Sequence, residues 1–540
     1  MRKLLRTSVS MASHRAILWL AGIYTLVFNG PFVVDAYRAS LETPNTSVVM
    51  LIAIPLVVFA LLHLVFSLAL WPVIGKPLLW LVSCVSVFVV FAQVSFGVVF
   101  DDDMIRNIFE TDISEAKSYL AFWPVLVTVT GCALVTVMAT KLRINYRKPA
   151  TEVLRRLGQN AVVFTVMAVT LYSCYAEFAA TFRNNRYLKR EMVPFEWADS
   201  TLDYWAERLF PEDRSLLAID EHPHLRDFPD VKKQHVTVVI VGETARSDHF
   251  QYNGYPRTTN RYTQPWQPVY FPDVVSCGTA TAISVPCMFS DLDLEHFDVK
   301  QARHRENALD VAQRSGAEVV WVDNNSSCKG VCERVPHRRI STDSASLLCD
   351  GDYCFDEVLL AELEQELAND RVPSKIIALH EIGSHGPTYY RRYPESFREF
   401  MPDCPRSDIQ NCEQDALVNT YDNTLLYSDY VHAEIIGLVD SQRERFHATV
   451  IYISDHGESL GDGGVYLHGL PYAFAPDEQT HVPLWIWSNS PKPDWRECLR
   501  RSHAEEEITQ AYIFSTLLAS AGVESSTRDA SRDLIGECLD

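Results

Sequence analysis

Five long apolar runs crowd the first third of this chain and constrain its fold more than anything that follows. They are Ala16–Val34, Val48–Leu70, Leu78–Phe100, Tyr119–Ala139 and Ala161–Ala180. About 20 helical residues cross the hydrocarbon core of a bilayer, about 30 Å thick, and each run is near that length. The first run carries Asn29-Gly30-Pro31 near its outer end. Four further runs follow and no small-residue cleavage site stands out, so it is not read as a cleaved signal peptide.

Basic residues in the short loops orient the spans. Arg2, Lys3, Arg6 and Arg15 precede the first, and Lys141, Arg143, Arg147, Lys148, Arg155 and Arg156 separate the fourth from the fifth. Both segments are expected on the cytoplasmic side, and the acidic Asp101-Asp102-Asp103 on the other. Five crossings then deliver everything after Ala180 outside. The outward loop places Asn107, Thr111 and Glu115 four residues apart, on one face of a helix. Such a stripe can meet a lipid head group, although a solvated face gives the same spacing.

Cysteine placement leads independently to the same compartment. Cys84, Cys132 and Cys174 lie inside apolar runs, and the other ten all follow residue 276. Their sequential couples suggest disulfides: Cys277 with Cys287, Cys328 with Cys332, Cys349 with Cys354, Cys404 with Cys412, and Cys498 with Cys538. Connectivity is not fixed by sequence, but a zinc-binding alternative is weaker because no CxxC pair occurs. A net charge of -21 argues against nucleic acid as a partner.

The 540 residues exceed one core. A transmembrane domain is expected over 1–180, interfacial linker helices with Trp197, Tyr204, Trp205 and Phe210 over 181–234, and an α/β domain over 235–540. In the last, Val236–Val241, Glu318–Val322, Ile376–Leu379, Thr449–Ile453 and Leu484–Trp487 read as buried strands. Glu357–Leu367, Asp415–Val439 and Glu505–Ala521 read as helices. The alternation predicts a largely parallel sheet with helices on both faces.

Two of these strands end in ligand-type side chains. Thr449–Ile453 runs into Ser454-Asp455-His456-Gly457, and Val236–Val241 into Gly242-Glu243. The carboxyl edge of such a sheet is where ligands sit, and Asp, Glu and His together suit zinc. Between them lies Ser276-Cys277-Gly278-Thr279-Ala280-Thr281, closed by Cys287. Either threonine is a possible helix cap or, with a metal to lower its hydroxyl pKa, a nucleophile.

GETARSDHFQYNGYPR, SCGTATAISVPCMFS, DNNSSCKG, GSHGPTYY, NTYDNTLLYSDY and SDHGESLGDGGVYLHGLP occur here in that order. With five spans and a cysteine-rich outer part, the chain resembles the bacterial phosphoethanolamine transferases that act on lipid A. These are the polymyxin-resistance type of the alkaline phosphatase and sulfatase superfamily. The resemblance implies an α-helical membrane domain with five transmembrane helices and a periplasmic α/β domain of alkaline phosphatase/sulfatase-like fold. It implies a monomer in the bacterial inner membrane. It puts the nucleophile at Thr281, leaves Thr279 structural, and gives one tightly held zinc the ligands Glu243, Thr281, Asp455 and His456. His385 and His468 match second-metal or phosphate-handling positions, with His380 a lesser candidate. Ser326 and Lys329 match head-group contacts, and Asn107, Thr111 and Glu115 the region that meets the ethanolamine end. Cys328 and Cys332 around Lys329 fit the members with five disulfides.

The expected reaction moves phosphoethanolamine from phosphatidylethanolamine to a lipid A phosphate through a threonine adduct, weakening binding of cationic peptides such as polymyxin. Rival readings are a lipopolysaccharide core sugar as acceptor, a phosphoglycerol transferase or hydrolase, and a membrane sensor or transporter. Scarcity of charge deep in most spans argues against transport.

Overall fold

In the computed structural model the apolar runs form helices, and the first is bent. Ser13–Ile23 passes through a π turn at Tyr24–Phe28, and Gly30–Leu41 departs from it at 63°. Pro31 has no N–H to continue the ladder. The Asn29 amide holds the bend, donating to Tyr24 O at 3.1 Å and Val193 O at 2.7 Å. The described residues are 8–41, 47–111, 122–210, 215–228, 233–272, 274–342, 347–368, 372–502 and 507–539. The chain divides into two units, Met1–Ile105 with Leu120–Leu209, and Arg106–Tyr119 with Phe210–Asp540.

Among the described residues of the first unit three helices are long and apolar enough to span a bilayer: Val48–Ala69, Gly75–Phe96 and Phe122–Lys141, with mean hydropathies of 2.9, 2.2 and 1.9. The bent pair makes a fourth if it counts as one span. The expected fifth span, 161–180, does not stand as one helix. Pro149–Ser173 starts among Arg155, Arg156, Gln159 and Asn160, and the helix breaks at Cys174 before Tyr175–Asn184. The polar start serves packing: Arg156 pairs with Glu152 at 2.9 Å and donates to Leu70 O at 2.7 Å. Val9–Ala12 and Leu142–Asn145 pair in parallel, which joins the stretch before the first helix to the one after Phe122–Lys141.

The second unit is built on a seven-stranded sheet: β1 (Gln234–Gly242), β2 (Val269–Phe271), β3 (Glu318–Asp323), β4 (His337–Arg339), β5 (Ser374–His380), β6 (Phe446–Ser454) and β7 (Leu484–Ser488). Their order is β2-β7-β6-β1-β5-β3-β4. β6, β1, β5, β3 and β4 run parallel, β7 runs antiparallel to β6, and β2 antiparallel to β7 and so in the direction of the parallel set. On one face Val239, Val241, Ile451 and Ile453 pack with Ala308–Ser315 and Tyr512–Ser520. On the other, Tyr452 meets His432 of helix Gln414–Asp440 at 4.3 Å between ring centres. The helix expected from Glu505 begins only at Tyr512, because Ile508–Thr509 pairs as a strand with Val274–Val275. The five expected cysteine couples are disulfides, and Cys84, Cys132 and Cys174 are free thiols.

Candidate active site

The parallel strands all point their carboxyl ends the same way, and the polar residues after them converge. β1 delivers Glu243, β6 delivers Asp455 and His456, and the Cys277–Cys287 loop ends in helix Thr281–Met288 with Thr281 as its first residue. All four side chains are buried. Thr281 Oγ1 lies 3.2 Å from Glu243 Oε2 and 3.4 Å from His456 Nε2. His456 Nε2 is 3.4 Å from Glu243 Oε1 and 3.3 Å from Asp455 Oδ2. Thr279 instead donates to Leu470 O at 2.6 Å.

The backbone is shaped to permit this approach. Gly383 has φ +48, and a Cβ there would stand 2.7 Å from Glu243 O. Thr244 sits at φ +60, costly for a β-branched residue, held by its N–H donating to Asp455 Oδ1 at 3.0 Å and by Tyr421 donating to its carbonyl at 2.8 Å. His456 commits Nδ1 to Gly457 O at 2.8 Å, which leaves Nε2 facing Thr281.

The electrostatics are those of a site built around positive charge. Burial opposes ionisation of Glu243, but His456 and His385 outweigh it and hold its carboxyl well below the ordinary range. Burial and the Glu243 charge push Asp455 up to about 6. Burial disfavours a charged His456, yet Asp455 and Glu243 raise it to about 10. Asp455 Oδ2 is buried without a hydrogen-bond donor. An unpaired buried carboxylate oxygen is expensive, and a divalent cation is what this donor set accommodates. Two carboxylates, an imidazole and a hydroxyl fit zinc, and Glu243, Asp455 and His456 can each turn a ligand atom to one point.

Two more of the expected residues, His468 and His385, lie beside this cluster. The His468 ring lies 4.3 Å from that of His456 and 5.7 Å from that of His385. Lys329, buried at φ +49, donates to Ser326 Oγ at 3.0 Å. His380 pairs with Asp323 at 3.2 Å beneath the site and serves the core. The Thr111 hydroxyl donates to Asn107 O at 2.6 Å, and Glu115 lies outside the described residues. Sequence reading missed Asn325, whose amide donates to Glu243 Oε2 and Glu381 O, both at 2.8 Å. It also missed Glu458, within the quoted SDHGES motif, and Tyr389.

A family model described as Sulfatase matches residues 235–523, and one described as Phosphoethanolamine transferase EptA/EptB matches 58–209. The chain is 37% identical to Phosphoethanolamine transferase EptA of Escherichia coli (strain K12), covering 97% of this chain and 96% of that one. It is 33% identical to Phosphatidylethanolamine transferase Mcr-1 of Escherichia coli, over 80% and 81% of the two chains. Its structure is similar to that of integral membrane lipooligosaccharide phosphoethanolamine transferase A (EptA) from Neisseria meningitidis. That match has a TM-score of 0.92 at 32% identity, over 98% of this chain and 99% of that one.

Proposed function

The chain belongs to the phosphoethanolamine transferase family, and we propose that it carries phosphoethanolamine from phosphatidylethanolamine to a lipid A phosphate through a covalent adduct on Thr281. The observation that supports this best is Thr281 Oγ1 at 3.2 Å from Glu243 and 3.4 Å from His456, beside an Asp455 oxygen without a donor. A zinc ion held by Glu243, Thr281, Asp455 and His456 supplies Lewis acidity when bound and lowers the pKa of the threonine hydroxyl.

The chain's own groups do the rest. Thr281 Oγ1, its proton released to water, attacks phosphorus, and the bond from phosphorus to the glycerol oxygen breaks. That oxygen takes a proton from His468 Nε2 and diacylglycerol departs. A lipid A phosphate oxygen then attacks the same phosphorus and gives its proton to His468, the bond from phosphorus to Thr281 Oγ1 breaks, and Thr281 Oγ1 regains a proton from water. Lys329, with Ser326 and His385, offsets the phosphate charge. Asn107, Thr111 and Glu115 are assigned to the ammonium end of the donor. The enzyme works as a monomer in the bacterial inner membrane with its α/β domain in the periplasm. Ethanolamine groups added to lipid A lower its negative charge, which reduces affinity for cationic peptides such as polymyxin.

The test is to incubate the enzyme with phosphatidylethanolamine and map the adduct by mass spectrometry. A phosphoethanolamine mass on the peptide carrying Thr281, lost in Thr281→Ala, is expected. An adduct on Thr279, or none in an active enzyme, overturns the assignment. Mass spectrometry of lipid A from cells with and without the gene tests the acceptor.

A further inference from the structure

Glu458 follows His456 by two residues but plays no part in the cluster around Thr281. It is fully buried, and both its carboxylate oxygens are engaged. Oε1 accepts from the Tyr389 hydroxyl at 2.6 Å, and Oε2 accepts from His468 Nδ1 at 2.8 Å. Its backbone is pinned as well: Glu458 N donates to Glu478 O at 2.7 Å, and Arg246 Nη1 donates to Glu458 O at 3.2 Å. Tyr389 is held in turn. Its ring packs edge-on against Tyr421 at 5.7 Å, and Gly386 leaves the space its hydroxyl needs, since a Cβ there would stand 2.6 Å away.

His456, Glu458 and His468 also form a second group able to face a common ion. The direct bond between Glu458 and Nδ1 of His468 accounts for that proximity without one. A buried carboxylate on one imidazole nitrogen fixes both the tautomer and the angle of the ring, leaving the other nitrogen for chemistry. The His468 ring lies 4.3 Å from that of His456, whose Nε2 faces Thr281 Oγ1 at 3.4 Å.

We infer that Glu458, braced by Tyr389, is a positioning residue that holds His468 with Nδ1–H committed and Nε2 turned to the oxygen leaving phosphorus. This rests on the proposed role of His468 as the group that protonates that oxygen. No atom passes through Glu458: the phosphorus–oxygen bond breaks, the proton moves from Nε2 to the departing oxygen, and Glu458 keeps its hydrogen bond to Nδ1.

The experiment is a double-mutant cycle in the full-length, zinc-loaded enzyme, with phosphatidylethanolamine in mixed micelles as donor. Glu458→Gln is expected to lower kcat about 10- to 100-fold, the size typical of losing such a support. KM and zinc content are expected to stay within about twofold, because neither the donor nor the Thr281 cluster is touched. Added to His468→Ala, Glu458→Gln is expected to cost nothing more, because its effect runs through that ring. Full kcat in Glu458→Gln, loss of its zinc, or an undiminished loss in the His468→Ala background overturns the inference. Should Glu458→Gln fail to fold, Tyr389→Phe enters the same cycle with a smaller expected loss of a few-fold. Full kcat in His468→Ala overturns both this inference and the role given to His468. Absence of an adduct on Thr281 with the coupling intact overturns only the choice of nucleophile.

Discussion

Asp455 and Thr244 are joined by a hydrogen bond from the Thr244 N–H to Asp455 Oδ1 at 3.0 Å, and the other Asp455 oxygen has no donor. The bond spends one oxygen on holding a strained turn and leaves the second facing His456 Nε2 at 3.3 Å. A carboxylate so divided is arranged for a cation. Asp455→Asn keeps the shape and the bond to Thr244 but replaces the open oxygen's charge. Zinc content measured by atomic absorption is expected to fall well below one per chain. Turnover is expected to drop on the order of 100-fold or more, the several kcal/mol a Lewis acid contributes. Retained zinc with retained turnover would sink the metal assignment.

Thr281 begins its helix where a serine would fit, so its hydroxyl and its methyl group can be separated. Thr281→Ser is expected to keep a covalent adduct and part of the turnover. Thr281→Ala is expected to abolish both while retaining the fold by circular dichroism. An adduct surviving in Thr281→Ala would move the nucleophile elsewhere.

Gly457 lies against another segment so closely that a Cβ would stand 2.0 Å from Glu478 O. Gly457→Ala must push the backbone of Asp455–Glu458 away from Glu478, because Gly457 N already donates to Gln479 O at 2.9 Å. A loss of about 1–3 kcal/mol is expected for such overpacking, read as a lower urea midpoint. Turnover is expected to fall with it, because His456 moves too. An unchanged midpoint would show that the segment yields freely.

Much of this site was legible from strand ends. Val236–Val241 and Thr449–Ile453 are β-branched runs that stop at Glu243 and Asp455, and period and composition both reported that. The edge strands Val269–Phe271 and His337–Arg339 were not legible, because three residues carry too little pattern. Ile508–Thr509 was hidden in what read as a helix, since its partner Val274–Val275 is remote in sequence. Asn325 and Glu458 were missed for the same reason: each matters through a contact made only by folding, with Glu243 in one case and His468 in the other.

Asp429 gives a pH dependence away from the catalytic cluster. It is buried on helix Gln414–Asp440, and burial pushes it from 3.8 up to about 6, against hydrogen bonds from Thr263 and Tyr262. A carboxyl raised on folding makes the native state bind the extra proton, so its contribution is greatest below about pH 4 and is lost as pH rises to about 6. The size is about 3 kcal/mol, from about two pKa units. The stability of Asp429→Asn minus that of the parent, from urea midpoints, is therefore expected to climb between pH 4 and 6 and stay level above. A flat difference across that window would show that Asp429 is not raised.

The disulfides allow stability and function to be separated. Cys498–Cys538 closes a separation of 40 residues and Cys328–Cys332 one of 4. By chain entropy, replacing the first pair with serine should cost about 4 kcal/mol and the second about 2 kcal/mol. Activity is expected to follow the opposite order. The short bridge encloses Lys329, which is buried at φ +49 and held against Ser326 at 3.0 Å. A non-glycine residue in that conformation relaxes once its flanks are free, and its ammonium is then no longer held beside Ser326. The double serine variant at 328 and 332 should therefore show a raised KM for phosphatidylethanolamine with little loss of fold. The variant at 498 and 538 should unfold earlier in urea yet turn over normally while folded. Equal kinetic losses in the two would mean that the short bridge serves only stability.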